Sequence, residues 1–242
     1  MDNKFIIITA VYNAIYGEKN HIMDCLESIS SQTYKNYEVV TMDDCSTDGT
    51  TEVINQYPFY KIRNAVRNHH GFKNIITAMD FLPMDKEDIY VIVDGDDKLV
   101  NDGVLEYLNN VYQDENIWFT FGQYGFLSGL NHSPCGRVSN PKTYRHESDW
   151  FTSHLKTFKK KLFDAIDRKD LKDAHGEYFK VVGDVALTYP MVEICGKKHM
   201  KFIKDVLYIY NDLHPPGEFA NVYRQEVKYL RDKEQYKELA NL

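Results

Sequence analysis

Three carboxylates stand within four positions of DIYVIVDGDDKLV, residues 88–100: Asp94, Asp96 and Asp97. Like charges this close repel one another, so the cluster costs electrostatic energy unless a cation sits among them. Hard oxygen ligands suit Mg²⁺ or Mn²⁺, ions that keep several waters and share their shell with substrate phosphates. One or two protein carboxylates then suffice, and a DxD pattern with a third Asp beside it supplies them. The same residues also read as a solvated acidic turn, or as caps for the helix that follows. A second acidic pair, Asp43 and Asp44, ends an earlier apolar run.

The elements around these residues say where they must point. FIIITAV (5–11) reads as a strand covered on both faces. Ile22, Cys25, Leu26 and Ile29 share one helical face behind a cap at Asn20. YEVVTM (37–42) is a second strand, and Ser46 to Gly49 is turn chemistry leading into a short helix over 51–56. A weak strand over 59–63 follows, then a helix carrying Ile75, Ile76, Met79 and Leu82. The strand IYVIV comes next, then a helix carrying Val104, Leu105, Leu108 and Val111. Strands alternating with amphipathic helices imply crossover units and a mostly parallel sheet. Ligands of such sheets bind beyond the carboxyl ends of the strands, so both acidic clusters are expected at one cleft.

From Trp118 onward the pattern loosens. WFTFGQYGF reads as a strand and turn, and RVSNPKTYRHESDW as a polar loop. The spacing of Leu155, Phe158, Leu162 and Phe163 predicts a helix over 153–166, and a second helix over 185–194 is expected to break at Pro190. IKDVLYIYN returns as a strand, and VYRQEVKYLRDKEQYKEL is a charged terminal helix. No repeat or low-complexity linker divides the chain, so one domain with two halves is expected.

Composition bounds the partners. The 242 residues carry a net charge of −7 and 43% hydrophobic side chains, enough for a real core. Nucleic acid is not the expected partner, because backbone binding needs clustered Lys and Arg. LKTFKKKLF is a local basic exception, whose run Lys159 to Lys161 reads as a solvated helix face, with contact to an anionic lipid as the alternative. Cys25, Cys45, Cys135 and Cys195 lie far apart with no CxxC pair, as expected of free thiols in a reducing compartment. No window approaches the roughly 20 apolar residues of a spanning helix. The expectation is a soluble, cytoplasmic protein, with peripheral membrane contact left open.

AVYN (10–13), SISSQTYKNYEVV (28–40), DDCSTDGT (43–50) and VDGDD (93–97) occur in order. Together they resemble family 2 glycosyltransferases of the GT-A fold, and WFTFGQY, TSHLKTFKKKLF, VVGDVALTYPMVE and DVLYIYN extend the likeness over about residues 4–214. The resemblance implies an α/β fold with a Rossmann-like, mostly parallel central sheet flanked by helices. It implies a nucleotide-sugar-binding half (1–115), an acceptor-binding and catalytic half (116–215) and a helical tail (216–242). The activity implied is metal-dependent, inverting transfer of a sugar from a nucleotide-sugar donor, UDP-linked, to a glycan or glycolipid. A non-catalytic protein that binds such ligands on the same fold is the alternative. A phosphatase of the DxDxT type does not fit, since Lys98 stands where Thr is needed. A nucleotidyltransferase would carry a Gly-rich basic loop after the first strand, which VYNAIYGEKN lacks.

Residue by residue, the resemblance implies that Asp44 holds the base, with Ala10, Val11 and Tyr12 lining the same pocket. Asp94 then contacts the ribose beside Gly95, and Asp96 binds the metal, Mn²⁺ or Mg²⁺. Asp97 reads equally as a ligand or a helix cap, and Asp184 as the general base or a helix cap. Lys73 either approaches phosphate or is a solvated helix-face residue, and His214 either joins the metal or is a loop residue. Trp118, Gln123, Tyr124, Arg145, Trp150 and His154 lie where the fold builds its acceptor cleft, with Trp150 and His154 on one helical face. Cys45 replaces the family's usual Gly, which puts the geometry of that turn in question.

Overall fold

Phe5, Ile6, Ile7 and Ile8 are all buried, as a strand covered on both faces requires. In the computed structural model, which describes residues 2–68, 70–129, 135–147, 152–213 and 220–242, this run is β1 (Phe5–Val11). The hairpin strands β2 (Ile15–Tyr16) and β3 (Lys19–Asn20) follow, then α1 (His21–Ser30), β4 (Tyr37–Asp43) and α2 (Thr50–Ile54). Next come β5 (Tyr60–Arg63), α3 (Gly71–Met79), β6 (Ile89–Ile92), β7 (Lys98–Leu99) and α4 (Val104–Val111). The second half contains β8 (Phe119–Phe126), β9 (Ser153–Lys159), α5 (Lys160–Asp164), α6 (Gly183–Cys195), β10 (Met200–Tyr210) and α7 (Ala220–Asp232).

Eight of these strands form one sheet in the order β5-β4-β1-β6-β9-β8-β10-β7. β5, β4, β1 and β6 run parallel; β8 and β10 share their direction, while β9 and β7 oppose it. Side chains alternate across the pleat. Ile6 and Ile8 enter one core layer with Phe72, Ile76 and Met79 of α3 and Val185 of α6. Phe5 and Ile7 enter the other with Cys25 and Ile29 of α1 and Leu105 and Leu108 of α4. The cap expected at Asn20 is present, its Oδ1 accepting from the Met23 amide at 3.1 Å. This mixed α/β architecture, with helices on both faces of a mostly parallel sheet, is the one the sequence implied.

Three sequence expectations are corrected. Residues 153–159 form a central strand and only 160–164 are helical. Leu155 faces one core layer and Phe158 the other, so apolar residues on both faces imitate helical spacing. His154 therefore lies on a strand and not on the helical face expected to carry it. The basic run is not a solvated face either: Lys159 is 2% exposed, and its Nζ lies 2.7 Å from Glu87 Oε2. Lys161 pairs with Oε1 of the same Glu87 and Lys160 with Asp164. Finally, α6 continues through Pro190, which is buried within it. Packing on every side of α6 outweighs the backbone hydrogen bond that proline removes.

Two glycines are required by close approach. A Cβ on Gly183 would lie 2.1 Å from Phe72 Cγ, so the start of α6 rests directly on α3. A Cβ on Gly95 would lie 2.5 Å from Val11 Cβ. The Gly95 amide donates to the Ala10 carbonyl at 3.1 Å, which ties the acidic loop to the end of β1.

Candidate active site

The carboxyl ends of β1, β4, β6 and β10 converge on two adjoining cavities. The larger, about 550 Å³, is lined by Ala10, Val11, Tyr12, Asp44, Arg67 and Asn74, with Asp94, Asp96 and Asp97 at its acidic end. The smaller, about 330 Å³, is lined by Phe72, Ile92, His154, Lys156, Asp184 and Leu187. Gly71, Ile75, Asp94, Lys180 and Tyr210 border both. Asp94 thus stands at the junction, with Asp96 on one side and Asp184 on the other.

Asp43 and Asp44 part ways. Asp43 is buried and accepts from the Ser46 amide (2.9 Å), Thr51 Oγ1 (2.6 Å) and Arg63 Nε (3.2 Å), so it builds the turn and does not face the cleft. Asp44 reaches the cavity, its Oδ1 held by Asn64 Nδ2 at 2.7 Å and the Asn68 amide at 3.0 Å. Directly after them Cys45 adopts φ 68°, a conformation glycine takes without cost, so the turn keeps a glycine-like shape despite the substitution. On the cavity wall the Arg67 guanidinium lies 3.4 Å from the centre of the Tyr12 ring, a flat cationic platform beside Asp44.

The acidic loop is braced by distant residues. Asp97 accepts from Tyr208 Oη at 2.6 Å and from the Asn211 amide at 2.7 Å, so it anchors the loop to the end of β10. It is not a helix cap, since α4 starts at Val104 behind Gly103. Asp96 accepts from Tyr16 Oη at 3.3 Å, and that hydroxyl in turn accepts from Asn211 Nδ2 at 2.7 Å. Burial, then the negative charge of Asp96, pushes the Tyr16 hydroxyl up to about 12, so it stays a donor.

Burial raises Asp94 well above the ordinary carboxylate value of 3.8, and Asp96 beside it raises it further. Asp97 is raised in the same way, by burial and then by Asp94. Carboxylates raised this way bind protons more tightly in the folded chain than in the unfolded one. The stability they contribute is fully present below 3.8 and is lost as pH rises through their raised folded values. The melting temperature of the metal-free protein is therefore expected to fall between about pH 5 and pH 8, and Asp97→Asn to flatten that slope. Differential scanning fluorimetry across the interval decides it; a flat or rising melting temperature contradicts the strain.

This strained oxygen cluster fits a hard divalent cation. Asp94, Asp97 and His154 each offer a ligand atom, all within 4.8 Å of one another. The buried Nδ1 of His154 has no hydrogen-bond partner among the described residues. Burial, then the charge of Lys156, holds that imidazole far below its ordinary value and therefore neutral, the form in which it ligates.

Asp184 is the second residue of α6 and is 47% exposed toward the smaller cavity. It is not the helix cap, a place held by Val182, and its Oδ2 lies 3.7 Å from Lys156 Nζ. The start of α6 is clamped from outside. The Glu226 carboxylate on α7 accepts from the Lys180, Val181 and Val182 amides at 3.0, 3.0 and 3.2 Å.

Other expected site residues fall elsewhere. Gly95 packs under the loop against Val11 and does not line the cavity. Lys73 is half-buried on α3 away from the lining, where Arg67, Lys156 and Lys180 supply the positive charge instead. Trp118 sits at the opposite edge of the sheet, stacked on His199 with ring centres 3.5 Å apart in a separate cavity that also contains Glu87 and Lys159. It precedes β8, whose carboxyl end is the one that reaches the site. Arg145 is buried in a two-pronged pair with Glu193, both contacts at 2.6 Å, and it holds the end of α7 through the Leu230 carbonyl. Tyr124 joins His154, Tyr208 and Tyr210 in an aromatic cluster beside the acidic loop, whereas Gln123 donates to the Cys135 carbonyl at 2.6 Å. Trp150 and His214 lie outside the described residues.

Sequence reasoning passed over Tyr16, Arg67, Lys156, Lys180, Tyr208, Tyr210 and Asn211. The one signal for any of them is the alternation of Tyr208 and Tyr210 in LYIYN, which puts both rings on one face of β10.

A sheet of this order, with an acidic loop at the carboxyl end of a central strand and a two-part cleft above it, defines a GT-A-type glycosyltransferase. Residues 6–179 match glycosyl transferase family 2, and the chain belongs to that family. It is 24% identical over 219 residues to glycosyltransferase GlyG of Streptococcus pneumoniae serotype 4, covering 84% of this chain and 70% of GlyG. It is 30% identical over 122 residues to the Escherichia coli UDP-Glc:alpha-D-GlcNAc-diphosphoundecaprenol beta-1,3-glucosyltransferase WfaP, covering 49% of this chain and 45% of WfaP. Staphylococcus aureus TarS 1-349 in complex with UDP-GlcNAc has the same fold, with a TM-score of 0.64 at 17% identity over 96% of this chain and 61% of that one. So does mannosyltransferase PcManGT of Pyrobaculum calidifontis, in complex with GDP-Man and Mn²⁺, with a TM-score of 0.62 at 18% identity over 98% of this chain and 66% of that one. The chain thus spans only part of the length of these relatives. Among the described residues no helix is long and apolar enough to cross a membrane.

Proposed function

We propose that the protein transfers a sugar, with inversion, from a UDP-linked donor to a hydroxyl of a glycan or glycolipid, using a divalent cation and Asp184 as general base. The observation that carries this reading is the position of Asp94 at the border of two cavities, with Asp96 in one and Asp184 in the other. A donor lying across that border puts its nucleotide over Tyr12, Asp44 and Arg67 and its sugar beside Asp184. UDP-Glc as the donor of WfaP and UDP-GlcNAc in the TarS complex support UDP, and the PcManGT complex supports Mn²⁺.

In this reading Asp44 accepts from the base, and the Arg67–Tyr12 platform stacks on it. Asp94 and Asp96 would hold Mn²⁺ or Mg²⁺, with Asp97 anchoring the loop behind them. The chemistry such a cation would supply is neutralisation of the charge that develops on the departing diphosphate. Asp184 accepts the proton of the incoming hydroxyl as it attacks the far face of the anomeric carbon, a contribution of about 10²–10⁴-fold. Direct displacement of this kind inverts that carbon. Phe72, Ile92 and Leu187 form the apolar wall that excludes water from the sugar.

The test is a thermal-shift panel of nucleotide sugars with Mn²⁺. A cognate UDP-sugar at a hundred times its Kd adds about 2.7 kcal/mol, a rise of about 5–10 °C for a chain this long. If no nucleotide or nucleotide sugar moves the transition, the reading is refuted.

A further inference from the structure

Lys156 is an unusual residue for a central strand. It lies in the middle of β9, paired in register with Ile92 of β6, and is 4% exposed. Burying an ammonium ion is expensive unless it is paired and hydrogen-bonded. Yet the nearest carboxylate oxygen, Asp184 Oδ2, is 3.7 Å away, beyond hydrogen-bond distance. Among the described residues no protein atom is recorded as accepting a hydrogen bond from its Nζ, and Lys156 lines the smaller cavity.

The surroundings narrow what those donors meet. Phe72, Ile75, Ile92 and Leu187 give the cavity apolar surface, and Asp94, His154, Lys156, Lys180 and Asp184 give it polar groups, with Ile92 next to Lys156 across the paired strands. Apolar surface interspersed with a few fixed polar groups suits a sugar ring, which offers both C–H faces and hydroxyls. Charge narrows it further. Asp94 and Asp184 both act on Lys156, whose positive charge lowers the proton affinity of Asp94, so the ammonium ion is already balanced. What it lacks is an acceptor, not a counter-charge. A neutral hydroxyl supplies one.

We propose that Lys156 is a specificity-determining residue that donates a hydrogen bond to a hydroxyl of the transferred sugar. This rests on the donor reading above and adds to it that the sugar is recognised from the middle of the sheet, by a residue separate from the base.

The test compares the affinities of UDP, UDP-glucose, UDP-galactose, UDP-N-acetylglucosamine and UDP-glucuronate by calorimetry with Mn²⁺, in the wild type, Lys156→Met and Lys156→Gln. For the best-bound UDP-sugar, Lys156→Met is expected to reduce its affinity relative to UDP by about 10- to 100-fold, as for loss of a hydrogen bond to a charged group. UDP itself should bind as in the wild type, which shows the variant folded. Lys156→Gln, which keeps an N–H donor, should retain part of the ratio. An unchanged ratio, or UDP and UDP-sugar weakening together, overturns the proposal. A wild type that binds neither UDP nor any UDP-sugar refutes the donor reading itself, and this role of Lys156 with it.

Discussion

Asp184→Asn is expected to slow sugar transfer by about 10²–10⁴-fold while UDP affinity stays close to wild type. Asparagine is isosteric and still offers an oxygen to the Val185 amide, which Asp184 Oδ1 holds at 2.8 Å. It cannot take a proton. The side chain is 47% exposed, so the substitution leaves no buried charge uncompensated except a loosened contact to Lys156. The start of α6 remains clamped by Glu226 and seated on Phe72, so the helix does not move. Loss of turnover with intact binding then isolates a chemical role from a structural one. The measurement is UDP release with an acceptor present, beside calorimetric UDP binding. Turnover within a few-fold of wild type excludes Asp184 as the base.

The second large effect is expected at Asp96. Asp96→Ala should abolish the dependence of UDP affinity on Mn²⁺ and reduce transfer by at least about 10²-fold, since a bound cation supplies several kcal/mol of charge stabilisation and each ~1.4 kcal/mol is tenfold in rate. Tyr16 loses its acceptor in this variant but keeps the hydrogen bond from Asn211 Nδ2, so the hairpin that covers the loop stays in place. Titrations of UDP with and without Mn²⁺ provide the readout. If the two differ as much in Asp96→Ala as in the wild type, the cation is held elsewhere, and the cluster of Asp94, Asp97 and His154 becomes the place to test.

Much of the N-terminal half could be read from the chain. β1, β4 and β6 announce themselves as apolar runs, and α1, α3 and α4 as amphipathic faces, because the strands are buried between two core layers and each helix buries one side against the sheet. Chemistry that local runs position was legible with them. Asp44, Asp94 and Asp96 each follow a strand directly, so knowing the strand is nearly knowing where the carboxylate points.

The second half resisted for a physical reason. β9 is inserted between β6 and β8, with both faces covered, so neither alternation nor a single apolar face marked it. Lys159 looked solvated because its partner, Glu87, is remote in sequence. Arg145 looked like a ligand contact until Glu193 closed on it, and Trp118 until strand direction set it at the wrong edge of the sheet. By itself the sequence determined the family, the parallel half-sheet and the acidic residues at its carboxyl edge, all of which depend on short-range pattern. Tertiary structure alone decided that Asp97 anchors β10, that Arg67 and not Lys73 faces the larger cavity, and that Lys156 reaches the smaller one. Those outcomes depend on pairing between residues far apart in the chain, which no local spacing encodes.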